Sequence, residues 1–188
     1  NGQFGTRLQG GKDSASPRYI FTEMNELTQL IYHPEDLPLL DYLEDDGFKI
    51  EPKYYVPILP TVLVNGADGI GTGFSTKIPN FSPIDIVKNL KNMMNDEEIE
   101  PMTPWYKGYT GDIIKISDTS FVSRGKYQIL DTNTIEITEL PIGTWTDNYK
   151  EHLDEWIYEH GHENQKKQFL VSYENHCTES TIKFILKF

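Results

Sequence analysis

Gly10-Gly11-Lys12-Asp13-Ser14-Ala15-Ser16-Pro17-Arg18-Tyr19 ends with a phenol beside a permanent cation, on a flexible and locally basic approach. A phenol oxygen is a nucleophile toward phosphorus, and a guanidinium binds the charge that develops on the phosphoryl group during attack. A tyrosine phenol, with an ordinary pKa near 10, is scarcely ionised at neutral pH, so a base, a cation or a metal must assist it. Arg18 supplies a fixed charge. The chain has 11 tyrosines, and most tyrosines in globular chains are packed amphipathic residues; the neighbours of Tyr19 set it apart.

Charge sharpens the contrast. Between Asn1 and Tyr19 the cations Arg7, Lys12 and Arg18 face the single carboxylate Asp13, whereas the whole chain carries −12. A protein with pI near 4.8 is repelled by DNA unless its positive groups are concentrated on one face. Salt screens charges over about 8 Å, so such a patch acts nearly independently of distant acids.

Working outward, the run Gly2-Gln3-Phe4-Gly5-Thr6-Arg7-Leu8 joins this stretch, and together they resemble the active-site segment of eukaryotic-type type IIA DNA topoisomerases. The block from Pro57 to Ser75, with Asn65-Gly66-Ala67-Asp68-Gly69-Ile70-Gly71-Thr72-Gly73-Phe74 at its centre, is similar to that family's glycine-rich loop. Glu139-Leu140-Pro141-Ile142-Gly143-Thr144-Trp145-Thr146, with Tyr149-Lys150-Glu151, is similar to its later segment. Asp68 stands where the family commonly has Glu, and Phe74 where it commonly has Trp. The resemblance covers almost the whole chain, including Tyr173 to Phe188.

The resemblance implies an α+β fold. Residues 1–80 would be the C-terminal part of a winged-helix domain carrying the catalytic tyrosine and the glycine-rich loop, and residues 81–188 part of a mixed α/β tower domain. It implies that Tyr19 is the nucleophile and that Arg18 stabilises the transition-state phosphate. Ile70 would wedge between bases and Trp145 would approach the DNA backbone, while Arg7 and Lys12 are suited to phosphate contacts. The partners implied are double-stranded DNA and a second copy of the chain. Mg²⁺ and ATP would serve the full-length enzyme from outside this segment, which alone would not pass strands. Nuclear placement follows for a cellular eukaryote, and the host cell or virion for a large DNA virus.

On the residues alone, Gly66, Gly69, Gly71 and Gly73 match neither G-x-x-x-x-G-K-[ST] nor G-x-G-x-x-G, so a nucleotide loop has weak support. Ile70, flanked by Gly69 and Gly71, reads as a core residue or as a wedge that unstacks and kinks a base step. Trp145, after a strand-like run, reads equally as core. Among the histidines, His160-x-His162 is the nearest pair, but it lacks the Cys partners or the H-E-x-x-H frame of a zinc site and reads as surface. Glu44-Asp45-Asp46 before Gly47 reads as a solvated turn.

A composition of 37% hydrophobic and 12% aromatic residues fits a folded chain with a real core. One cysteine, Cys177, excludes an internal disulfide framework and fits a reducing compartment. No apolar run approaches the ~18 residues of a membrane span, and no signal peptide is visible. The alternating run Thr181 to Phe188 needs a strand partner, from which a fragment of a longer polypeptide is expected.

Apolar Met24, Leu27, Leu30 and Ile31 predict an amphipathic helix ended by Pro34. Ser82 as N-cap, Pro83 at N1 and Asp85 in the first turn predict a second, with Ile84, Val87, Leu90 and Met94 on its apolar face. Asp96 to Glu100 predicts an exposed turn. From Gly111 short alternating runs predict sheet, with a hairpin of Tyr127 to Leu130 and Ile135 to Leu140 around Asp131-Thr132-Asn133. Gly161 to Gln168 reads as a loop, and a soft domain boundary is placed near Asn80 to Pro83.

Two other function classes stay open beside the topoisomerase. A non-catalytic DNA-binding or bending module would use the basic end and Ile70 without forming an adduct. A nucleotide-binding enzyme would use the glycine loop but lacks the Walker lysine.

Overall fold

The computed structural model describes residues 1–159 and 170–188; the expected loop at Gly161 to Gln168 and the His160–His162 pair lie outside the described residues. The chain mixes helix and strand and divides into two compact units, Glu23–Lys107 and a discontinuous one of Asn1–Thr22 with Gly108–Phe188. The position near Asn80 to Pro83 falls inside the first of these.

The Glu23–Lys107 unit opens with helix α1, Glu26–Ile31, whose N-cap Asn25 accepts a hydrogen bond from the Leu27 amide. Met24 lies before the helix, and Leu27 and Leu30 stay exposed. Strands β1 (Tyr42–Asp45) and β2 (Phe48–Pro52) pair antiparallel. The acidic turn joins them: Asp46 at φ 49° and Gly47 at φ 81° supply the left-handed pair that a two-residue hairpin requires. Helix α2, Thr61–Asn65, leads into β3 (Ala67–Gly71) and β4 (Phe74–Ile78). The glycine-rich block is therefore an antiparallel hairpin with Thr72-Gly73 at its tip.

Asn80 fastens that hairpin's base. Its side-chain amide donates to the carbonyls of Val64 and Asn65, at 3.1 and 2.9 Å, satisfying acceptors that the end of α2 leaves free. Helix α3, Pro83–Met94, begins where expected, but Ser82 makes no side-chain cap bond. Its buried residues are Ile86 and Asn89, while Ile84 and Met94 point to solvent. Asn89 explains the rotation of the face. It donates to the Glu100 carbonyl and accepts from the Glu100 amide, pinning the acidic turn back onto the helix.

In the other unit, β5 (Asp112–Ser117) pairs with β6 (Ser120–Arg124). Strands β7 (Lys126–Asp131) and β8 (Thr134–Glu139) form the expected hairpin, its turn closed by the Asn133 amide donating to the Asp131 carboxylate. Helix α4 spans Thr146–Glu159, followed by β9 (Ser172–Asn175) and β10 (Phe184–Lys187). The antiparallel sheet runs β7-β8-β10-β9, so the closing strand lies between two partners.

Register places Phe184 opposite Ile137 and Leu186 opposite both Ile135 and Tyr173. The two-residue strand period puts them on one face, and α4 covers it. Leu153, Leu170, Ile182, Phe184 and Leu186 form the core with Leu140, and the Tyr149 ring meets Phe184 edge-on at 5.3 Å.

Candidate active site

The Tyr19 approach is short of regular structure but dense in backbone bonds. Pro17–Tyr19 form one 3-10 turn, in which Pro17 presets the backbone and the Tyr19 amide donates to the Ser16 carbonyl at 2.9 Å. Upstream, the Gly11 amide donates to Thr6 and the Ala15 amide to Gln3. Asp13 closes the same loop, accepting from the Thr6 amide at 2.9 Å and the Thr6 hydroxyl at 2.5 Å. Those two donors hold its carboxyl below the usual carboxylate range.

This scaffold presents Tyr19 with its side chain exposed, at 63%. The Arg18 guanidinium carbon stands 5.1 Å from the Tyr19 ring centroid, within cation–π range. Among the described residues, neither Arg18 nor Lys12 has a carboxylate within salt-bridge distance. Both are exposed. A reachable phenol, a stacked guanidinium and an uncommitted lysine thus share one segment, which is a set able to receive an anionic ester.

Arg7 sits differently. Its Nη2 donates to Glu139 and, at 3.3 Å, to the Leu140 carbonyl. The Glu139 side chain is 3% exposed and that of Arg7 23%. Glu139 also accepts from the Thr110 amide and hydroxyl, at 3.1 and 3.2 Å, and from the Leu140 amide at 3.0 Å. Burial pushes the Glu139 carboxyl up, but the hydrogen bonds from Arg7 and Thr110 and the Arg7 charge outweigh it, and the net shift is downward. Sequence reading missed Glu139 and Thr110. The trace for Glu139 was a carboxylate near the end of the alternating run Ile135 to Leu140, at the head of the block Glu139 to Thr146.

Trp145 is half-buried and immediately precedes α4. Its indole lies against Gly10, where a Cβ would overlap the ring, and Gly10 adopts φ +62°. Only glycine meets both demands without strain. Sequence pattern leaves Trp145 open between core and DNA contact; in the fold its indole covers the basic loop.

Ile70 belongs to the Glu23–Lys107 unit. It is 97% exposed near the tip of the β3–β4 hairpin, and Phe74, in β4, is 85% exposed. Two large apolar side chains in water at one turn forfeit burial worth about 1.5–3 kcal/mol each.

Among the described residues no three His, Cys, Asp or Glu side chains gather as a metal-binding group. No described helix is long and apolar enough to cross a membrane.

Comparison with known proteins finds chains similar to this one over its whole length. The family model for the A-type subunit of DNA gyrase/topoisomerase IV matches residues 1–188. The chain is 54% identical over 187 residues to DNA topoisomerase 2 of Drosophila melanogaster, covering 100% of this chain and 13% of that protein. It is 48% identical over 186 residues to DNA topoisomerase 2-alpha of Mus musculus, covering 99% and 12%. The chain thus spans about an eighth of the length of these relatives. A crystal structure of the Plasmodium falciparum topoisomerase II DNA-binding, cleavage and re-ligation domain matches with a TM-score of 0.88 at 44% identity, covering 100% of this chain and 25% of that one.

Proposed function

We propose, from the premise that this chain belongs to the DNA gyrase/topoisomerase IV family of type II DNA topoisomerases, that it is the part of such an enzyme that breaks and rejoins DNA. The Tyr19 oxygen attacks a backbone phosphorus in line. A Tyr19 O–P bond forms as the P–O3′ bond breaks. The phenol proton leaves to solvent or a base, and the departing 3′ oxygen takes up a proton. The product is a 5′-phosphotyrosine and a free 3′ hydroxyl. One phosphoester replaces another at similar energy, so the 3′ hydroxyl reverses the step without an external energy source.

Arg18 binds the phosphoryl oxygens as charge builds on them, and its planar fork suits that geometry. Lys12 binds a neighbouring phosphate. Ile70 enters a base step, where partial unstacking at about a few kcal/mol is offset by the contacts a bent duplex gains. Arg7 and Trp145 act on DNA through the segment they hold. In this reading residues 1–80 complete a winged-helix domain and residues 81–188 contribute to a tower domain. Two copies cut opposite strands, ATP bound elsewhere in the protein would power passage of a second duplex, Mg²⁺ held by acidic residues of another domain would assist cleavage, and the enzyme works in the nucleus.

The observation that carries this reading is the exposed Tyr19 phenol under the Arg18 guanidinium, on a loop held by its own backbone bonds. It is tested with the full-length protein, Mg²⁺ and end-labelled DNA, by denaturing and assaying protein-linked DNA. Tyr19→Phe should abolish the adduct; an adduct that survives the substitution rejects Tyr19 as nucleophile. A bending module without chemistry, which the exposure of Ile70 also favours, predicts bent DNA and no adduct from the unsubstituted protein.

A further inference from the structure

The loop leading into Tyr19 is fastened at two points, and one of its cations is committed to the fastening. The Arg7 amide donates to the Glu179 carbonyl at 3.1 Å, and its guanidinium is held by Glu139 and the Leu140 carbonyl. Helix α4 completes the arrangement. The first amides of a helix have no acceptor within it, and Trp145, the residue before α4, has an indole that can only donate. The chain supplies the missing acceptors from the basic loop: the Asp147 amide donates to the Leu8 carbonyl at 3.0 Å, and the Thr146 amide points to the Arg7 carbonyl at 3.5 Å. The Trp145 ring closes over Gly10 two residues further on.

We propose that Arg7, through Glu139, and Trp145, through Gly10, are positioning residues that latch the loop before Tyr19 so that the phenol oxygen meets phosphorus in line. This rests on Tyr19 being the nucleophile. The latch acts over a short distance, because the Gly11–Thr6, Thr6–Asp13 and Ala15–Gln3 bonds carry the constraint to the Pro17–Tyr19 turn. Misplacement of a reacting group by about 1 Å costs on the order of 10²-fold in rate. A guanidinium already paired with a carboxylate neutralises no DNA phosphate and so displaces none of the counterions condensed on DNA. Exposed Lys12 is the residue left for that role.

The test uses the full-length protein with Arg7→Met, Arg7→Lys, Trp145→Phe and Lys12→Met. Hydrogen exchange, read on peptides spanning 5–16 and 144–150, reports the latch without reference to chemistry. Arg7→Met should speed exchange in both peptides, and Lys12→Met in neither. On DNA, Arg7→Met should lower the fraction of bound enzyme that forms adduct by roughly 10- to 100-fold while leaving affinity and its salt dependence unchanged. Arg7→Lys, which keeps the charge, and Trp145→Phe, which keeps a ring over Gly10, should each lose less than Arg7→Met. Lys12→Met should do the opposite, weakening binding and reducing the salt slope by about one phosphate contact.

Unchanged exchange in Arg7→Met overturns the latch. So does an Arg7→Met protein that loses affinity with a reduced salt slope yet cleaves normally once bound, since Arg7 then contacts phosphate itself. Failure of the underlying reading looks different: the unsubstituted protein forms no adduct through Tyr19, and the exchange pattern still decides whether the loop is fastened as described.

Discussion

The Arg18 guanidinium carbon lies 5.1 Å from the centroid of the Tyr19 ring, and no described carboxylate competes for that cation. Neighbours in sequence are stacked in space, so the charge travels with the phenol wherever the loop carries it. An exposed stack of this kind is worth only about 0.5–1 kcal/mol to the resting protein; in the proposed reaction its larger value lies in the transition state.

Arg18→Ala should therefore reduce adduct formation on the order of 10²- to 10³-fold, the scale of losing a preorganised donor to a developing anion. Arg18→Lys keeps the charge without the fork and should fall between the two. Single-turnover cleavage of a labelled duplex measures both; equal rates for all three proteins would remove Arg18 from the chemistry.

Ile70→Ala should leave stability within about 0.5 kcal/mol, because a side chain 97% exposed buries nothing to lose. Bending should respond instead. Fluorescence resonance energy transfer across a short labelled duplex should report a smaller bend, and a bend angle unchanged from the parent would exclude the wedge.

Acid should loosen the loop with a defined sign. Glu139 and Asp13 both have folded carboxyl pKa values below their ordinary ones, Asp13 through the Thr6 donors and Glu139 because Arg7 and Thr110 outweigh its burial. Their stabilisation is complete above an unfolded carboxylate value of about 4 and disappears as pH falls through the lower folded values. Glu139→Gln should accelerate exchange of the Thr110 and Leu140 amides most at neutral pH, and the difference from the parent should shrink below about pH 4.

Phe184→Ala should destabilise the sheet unit by about 3–5 kcal/mol, since the ring is fully buried and is met by Tyr149 and Tyr173. Chemical denaturation gives the value. A loss below about 1 kcal/mol would mean that α4 does not pack on that face.

Much of the fold was legible because it follows local rules. Pro83 and Asp85 marked the start of α3, and Asp131-Thr132-Asn133 marked the β7–β8 turn. Alternation in Ile182, Phe184, Leu186 and Phe188 marked one strand face, of which the first three are buried and Phe188 is exposed. The exposed turn at Asp46-Gly47 was equally local and legible, whereas strands β1 and β2, which it joins, went unread. The α3 face was misjudged for a different reason. Asn89 is polar, and its burial depends on the backbone of Glu100, 11 residues away.

The sequence by itself determined the chemistry on offer, a phenol beside a guanidinium on a glycine-rich approach, because covalent adjacency keeps Arg18 within reach of Tyr19, while the folded Pro17–Tyr19 turn sets the stack itself. Tertiary structure alone decided which cations remain for a ligand. Arg7 and Lys12 read alike along the chain, five residues apart in one basic run, yet Glu139 arrives from 132 positions away to bind Arg7 and leaves Lys12 in solvent. Charge is a property of the residue; whether it stays open to a ligand depends on a long-range pairing that only the folded β8 strand and the start of α4 bring about.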